Sequence, residues 1–204
     1  VLGTALTTNY PDDFMDYSTA TFESIAALGL TYVVVPYANR VIIAGDPVET
    51  NHSVDGYPTE IQIETMLTEI QAAGLTPILM IDLPINAEQA DTIVEEMTDT
   101  HGNSYFSTYL TRWREAMNDG LDFAMANDIE IVVLDTPFDD FNFQDNTQQQ
   151  YFSYILENDI LPDVGSGYSG ILTTKELSTD SDFTWYQSNK IDWLGDSWYP
   201  TIAN

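Results

Sequence analysis

The sequence predicts an α/β protein, a parallel sheet covered by helices, and three observations carry that expectation. Short apolar segments alternate with helical patterns about six times along the 204 residues. Most of the apolar segments lack polar alternation, as strands buried on both faces do. Hydrophobic residues make up 44% and aromatic residues 12% of the chain, enough for a core and too much for disorder. An open doubly wound sheet and a (β/α)8 barrel both fit the alternation. No G-x-G-x-x-G follows the first strand, so dinucleotide binding has no support.

The elements read in order as follows. Val1–Leu6 is a short strand. Ser18 is expected to cap a helix whose Phe22, Ile25 and Leu28 share one face, and Gly29 to end it. Thr31–Tyr37, TYVVVPY, is the second strand. A loop of about twenty residues follows, long enough to suspect a function. Thr59 and Gln62 match a T-x-x-Q capping box, opening a helix through Ile63, Met66, Leu67 and Ile70 to Gly74. Pro77–Leu83 is the third strand, and Ala87–Thr100 suggests a short helix. Ser104–Asn127 reads as a long helix, with Phe106, Tyr109, Trp113, Met117, Leu121 and Ala124 near helical period. Ile129–Asp135 is the fourth strand, Thr147–Pro162 a helix and Ser169–Thr174 the fifth strand. A short helix at Ser181–Ser188 leads to the sixth strand, Ile191–Trp198.

The charge narrows the function. Thirty-three acidic residues face five basic ones, for a net charge of −28. Phosphate backbones need Lys and Arg to displace counterions, so nucleic acid is excluded as a partner. An anionic membrane surface is disfavoured for the same reason, and no apolar run is long enough for membrane insertion. The absence of Cys excludes disulfides, thiolate metal sites and a cysteine nucleophile. The first residue is Val1, which suggests a processed N-terminus. Few lysines and many Tyr, Thr, Asn and Ser give the expectation of a secreted or periplasmic protein.

Metal and cofactor motifs are missing too. The run Asp139-Asp140-Phe141-Asn142-Phe143-Gln144-Asp145 gathers oxygen ligands but lacks the Gly and Glu of a calcium loop. His52 and His101 show no zinc spacing. Gly165-Ser166-Gly167 reads as a turn rather than a nucleophile elbow. The expectation is no cofactor and no metal.

Several ordered segments resemble the TIM-barrel glycoside hydrolases of clan A, with the closest likeness to the family 113 endo-β-mannanases. They are Leu28-Gly29-Leu30-Thr31-Tyr32-Val33, Tyr57-Pro58-Thr59, Ala72-Ala73-Gly74-Leu75, Tyr105-Phe106-Ser107-Thr108-Tyr109, Tyr168-Ser169-Gly170-Ile171-Leu172-Thr173, Lys190-Ile191-Asp192-Trp193-Leu194-Gly195 and Trp198-Tyr199-Pro200. The resemblance implies a (β/α)8 barrel of which the chain covers about six β/α units. It also implies a Glu acid/base at the end of strand four and a Glu nucleophile at the end of strand seven. Here the strand-four stretch is Leu134-Asp135-Thr136-Pro137, with Pro137 where the Glu is expected. Strand seven would lie past Asn204. A barrel needs eight strands, so further chain, a protein partner or self-association is expected to cover its open edges.

Retaining glycoside hydrolysis needs two carboxyl groups about 5–5.5 Å apart. Asp82, Asp135, Glu176 and Asp196 are the carboxylates expected at strand ends, where such barrels keep their sites. Asp135 is the candidate catalytic acid, against the plainer reading that it satisfies turn donors. Trp198 and Tyr199 could stack on a pyranose or simply pack the rim. Asn9, Tyr37, Asn39 and Arg40 are candidates to bond sugar hydroxyls, with an ion pair as a competing use for Arg40. The expected ligand is a polysaccharide. The two functional expectations are a catalytically degenerate accessory barrel and an active β-mannanase-type enzyme.

Overall fold

The computed structural model describes residues 3–5, 11–39, 57–83, 104–134, 154, 158, 161–176 and 193–196. Their strands are β1 (Gly3–Ala5), β2 (Tyr32–Ala38), β3 (Thr76–Asp82), β4 (Ile131–Leu134), β5 (Ile171–Glu176) and β6 (Trp193–Asp196). The helices are α1 (Pro11–Met15), α2 (Ser18–Ala27), α3 (Glu60–Ala72) and α4 (Ser104–Ala126). All five strand pairs are parallel and the sheet order is β1-β2-β3-β4-β5-β6. An open doubly wound sheet would shuffle that order. Strictly sequential order with intervening helices is the pattern of a (β/α) barrel, here in part.

Local chemistry sets the helix ends. Thr59 and Gln62 form the complete capping box at the start of α3. Gly29 and Gly74 follow α2 and α3 with φ of +79° and +77°, the left-handed position that closes a helix. Ser18 departs from expectation. Tyr17 occupies the N-cap of α2 and makes no side-chain cap bond. The Ser18 hydroxyl instead donates backward to the Met15 carbonyl at 3.0 Å, joining α2 to α1. The fifth strand is shifted to Ile171–Glu176, and the described part of the sixth is Trp193–Asp196. The expected helices at 87–100 and 181–188, and most of the one at 147–162, lie outside the described residues.

One continuous core lies between sheet and helices. Val33, Val35, Leu79, Ile81, Val132 and Leu134 from the strands meet Phe22, Met66, Ile70, Trp113, Met117 and Leu121 from the helices. Helix and sheet approach closely at Gly120 of α4. A Cβ there would lie 2.5 Å from Ile81 Cδ1, so only glycine lets helix and strand meet at this point. Ala116, one turn earlier in α4, is level with Asn39 just past β2, whose Nδ2 donates to its carbonyl at 3.2 Å. The preceding turns of α4 therefore stand beyond the C-terminal end of β2, above the rim.

Candidate functional site at the C-terminal rim

Register decides which strand-end residues can face a ligand. Paired residues of neighbouring parallel strands point to the same side, and successive residues alternate. Tyr37, Leu79, Ile81 and Val132 point to the helices and are each no more than 1% exposed. The rows Val34↔Ile78, Pro36↔Met80↔Val133 and Ala38↔Asp82 belong to the opposite face, the one a barrel turns inward. Val34, Ile78, Met80, Val133 and Asp82 are half-buried there.

Asp82 is thus the last β3 residue, on the inner face, at the rim. Tyr57 donates its hydroxyl to Asp82 Oδ2 at 2.6 Å. Such a short phenol–carboxylate bond is charge-assisted and holds the carboxylate in one orientation. Tyr57 reaches it because it stands two residues ahead of Thr59, whose capping box fixes where the chain enters α3. Nothing in the sequence marks Tyr57 as a partner of Asp82. The only trace is its position just before a capping box, which puts it at the C-terminal side of the sheet.

Tyr37 and Asn39 are corrections to the sequence reading. Both are 1% exposed and belong to the helix layer. The Tyr37 hydroxyl donates to Glu60 Oε1 at 3.0 Å, with Asp119 Oδ2 at 3.4 Å, and its ring lies 4.9 Å from that of Phe123. Burial first, then the Asp119 charge and the bond to Glu60, push its pKa far above the ordinary phenol value. It stays a neutral donor between two carboxylates. The Asn39 backbone N–H donates to the Asp82 carbonyl at 2.9 Å, so Asn39 extends the β2–β3 ladder while its side chain turns to α4. Neither residue has surface to offer a sugar.

Glu176 and Asp196 are register partners at the ends of β5 and β6. Their row continues that of Val132↔Leu172 and Leu134↔Thr174, so it alternates with the row of Asp82 and belongs to the helix-facing side of the sheet, against the expectation that they join Asp82 in the site. Asn9, Arg40, Asp135, Pro137, Trp198 and Tyr199 lie outside the described residues. Among the described residues no group of three or more His, Asp or Glu is placed to hold a metal. No described helix is long and apolar enough to cross a membrane.

Neither a protein-family profile nor a curated protein sequence matches the chain. Solved structures do. A GH113 β-1,4-mannanase superposes with a TM-score of 0.64 at 12% identity, over 97% of this chain and 61% of that one. The GH113 β-mannanase of Alicyclobacillus acidocaldarius gives 0.63 at 12%, over 96% and 59%. The endo-1,4-β-mannanase of Rhizomucor miehei gives 0.51 at 13%, over 98% and 67%. The chain therefore has the fold of the glycoside-hydrolase TIM barrels, and it spans about three fifths of the GH113 chains it matches.

Proposed function

Starting from a partial glycoside-hydrolase-like barrel, we propose that this protein binds a β-linked polysaccharide without cleaving it. Its role is that of a secreted or periplasmic accessory protein. The observation that carries the reading is where β4 ends. Leu134 is the last β4 residue and pairs with Thr174 of β5. The residues that follow are Asp135, Thr136, Pro137 and Phe138, and the next Glu in the sequence is Glu157. A retaining glycosidase protonates the leaving oxygen from a carboxylic acid near this strand end. Proline has no ionisable group, and Asp135 is one methylene shorter than the Glu of the resembled enzymes.

Binding is supported by the rest of the rim. Asp82 ends β3 on the inner face and accepts a hydrogen bond from the Tyr57 hydroxyl. A net charge of −28 favours a neutral ligand over an anionic one. Secretion is inferred from composition, few Lys beside many Tyr, Thr, Asn and Ser.

The test is a long incubation of the protein with β-1,4-mannohexaose, with products separated by chromatography. The expected result is intact hexasaccharide. Shortened products that vanish in Asp135→Asn would replace this reading with an active mannanase-type enzyme using Asp135 as its acid.

A further inference from the structure

We propose that the layer of helices α1, α2 and α3 repels itself electrostatically, and that dissolved salt, by screening it, sets how stable the folded chain is. This holds whether or not the protein binds a glycan. Residues 11–39 and 57–83 supply α1, α2, β2, α3 and β3, and they contain no Lys, Arg or His. Asp12, Asp13, Asp16, Glu23 and Glu64 are all exposed there. The cations among the described residues lie elsewhere. Arg112 and Arg114 in α4 pair with Glu115 and Asp163, and Lys175 is in β5.

The packing brings these charges together. Gln62 Nε2 donates to Asp12 Oδ1 at 2.7 Å and ties α3 to α1. Thr19 Oγ1 donates to Glu69 Oε1 at 2.7 Å and ties α2 to α3. Both donors are neutral, so neither link offsets a charge. Glu69 also stands in the last turn of α3, where the helix dipole disfavours an anion, and its Oε2 is buried with no hydrogen-bond partner. None of the three helices has a basic residue in its last turn. The range of the repulsion decides how salt acts on it. Axes of packed helices are about 8–10 Å apart. The Debye length is about 10 Å at about 0.1 M salt and about 3 Å at about 1 M, so neighbouring helices feel each other's charge at the first and hardly at the second. The net charge of −28 adds a longer-range part of the same sign. The effect is diffuse screening, with no single ion held.

The experiment is urea unfolding of the full chain, followed by circular dichroism, in NaCl from about 0.05 to about 2 M. The midpoint is expected to rise by about 1 M urea across that range. A chain unfolded at the low end that folds as NaCl is added is the same result at larger amplitude. Glu64→Gln, and more so its combination with Asp16→Asn and Glu23→Gln, is expected to raise the low-salt midpoint and flatten its rise. Glu115→Gln also removes one negative charge but takes a partner from Arg112, and is expected to do neither. A wild-type midpoint indifferent to NaCl overturns the proposal. A rise equally steep in the triple variant overturns it too, because salt then acts through apolar surface rather than charge. If Glu115→Gln matches Glu64→Gln, the repulsion belongs to the whole chain and not to this layer. A gain already complete in about 1 mM MgCl2 would replace screening with a bound divalent cation.

Discussion

The two faces of the β2–β3 pair differ in what their polar groups do. Facing the helices, Tyr37 and Asn39 are sealed in, and their bonds tie β2 to α3 and α4. Facing inward, Asp82 is half-buried beside half-buried Ile78 and Met80, and its partner Tyr57 comes from the loop before α3. Position near a strand's C-terminal end is therefore not enough to make a site residue. The pleat decides, and one residue along the strand separates a group sealed against the helices from one on the inner face.

The largest expected effect breaks the comparison at its apolar rows. Leu79→Ala empties a fully buried place against the helices and should cost about 3 kcal/mol. Ile78→Ala, its half-buried neighbour on the inner face, should cost about 1 kcal/mol. Urea unfolding of the two variants measures both, and equal losses would erase the distinction between the faces.

Next in size is Tyr37→Phe, which should cost about 1.5 kcal/mol at neutral pH by removing a donor from two carboxylates. Its pH signature is sharper. The folded phenol titrates above its ordinary value of 10.0, so below pH 10 both folded and unfolded chains keep the proton and stability is full. Above pH 10 the unfolded chain ionises first and stability falls. Tyr168, pushed up to about 12 by burial and then by the Glu130 charge, adds to the same alkaline loss. Unfolding between pH 9 and about 11 should be steep in the wild type and shallower in Tyr37→Phe.

Much of the fold is legible in the sequence because its signals are local. The capping box at Thr59 and Gln62, the left-handed glycines 29 and 74 and the period of α4 each act within a few residues. α1 is five residues long, too short for a periodic signal. The facing of β2 is hidden for a different reason. In TYVVVPY nearly every residue is apolar, so no alternation says which side Tyr37 takes. Only the register with β3 and the packing of α4 settle it. The Tyr57–Asp82 bond spans 25 residues of sequence and leaves no pattern at all. Asp135, Trp198 and Tyr199 fall outside the described residues, and their roles stay with the sequence reading.

Two smaller changes sharpen the comparison. Thr59→Ala removes one half of the capping box that sets where Tyr57 stands, and should cost about 1 kcal/mol in thermal or urea unfolding. At the other extreme lies the Arg114–Asp163 pair, 3.2 Å apart with Asp163 exposed and Arg114 partly so. Arg114→Ala should change stability by less than about 0.5 kcal/mol, and less still in high salt.

Methyl NMR during a titration with β-1,4-mannohexaose tests the inward-facing site most directly. The expected result is a saturable shift of the Met80 and Ile78 methyl signals while those of Leu79 and Ile81 stay in place. Movement of the Leu79 and Ile81 methyls with Met80 and Ile78 silent would contradict it.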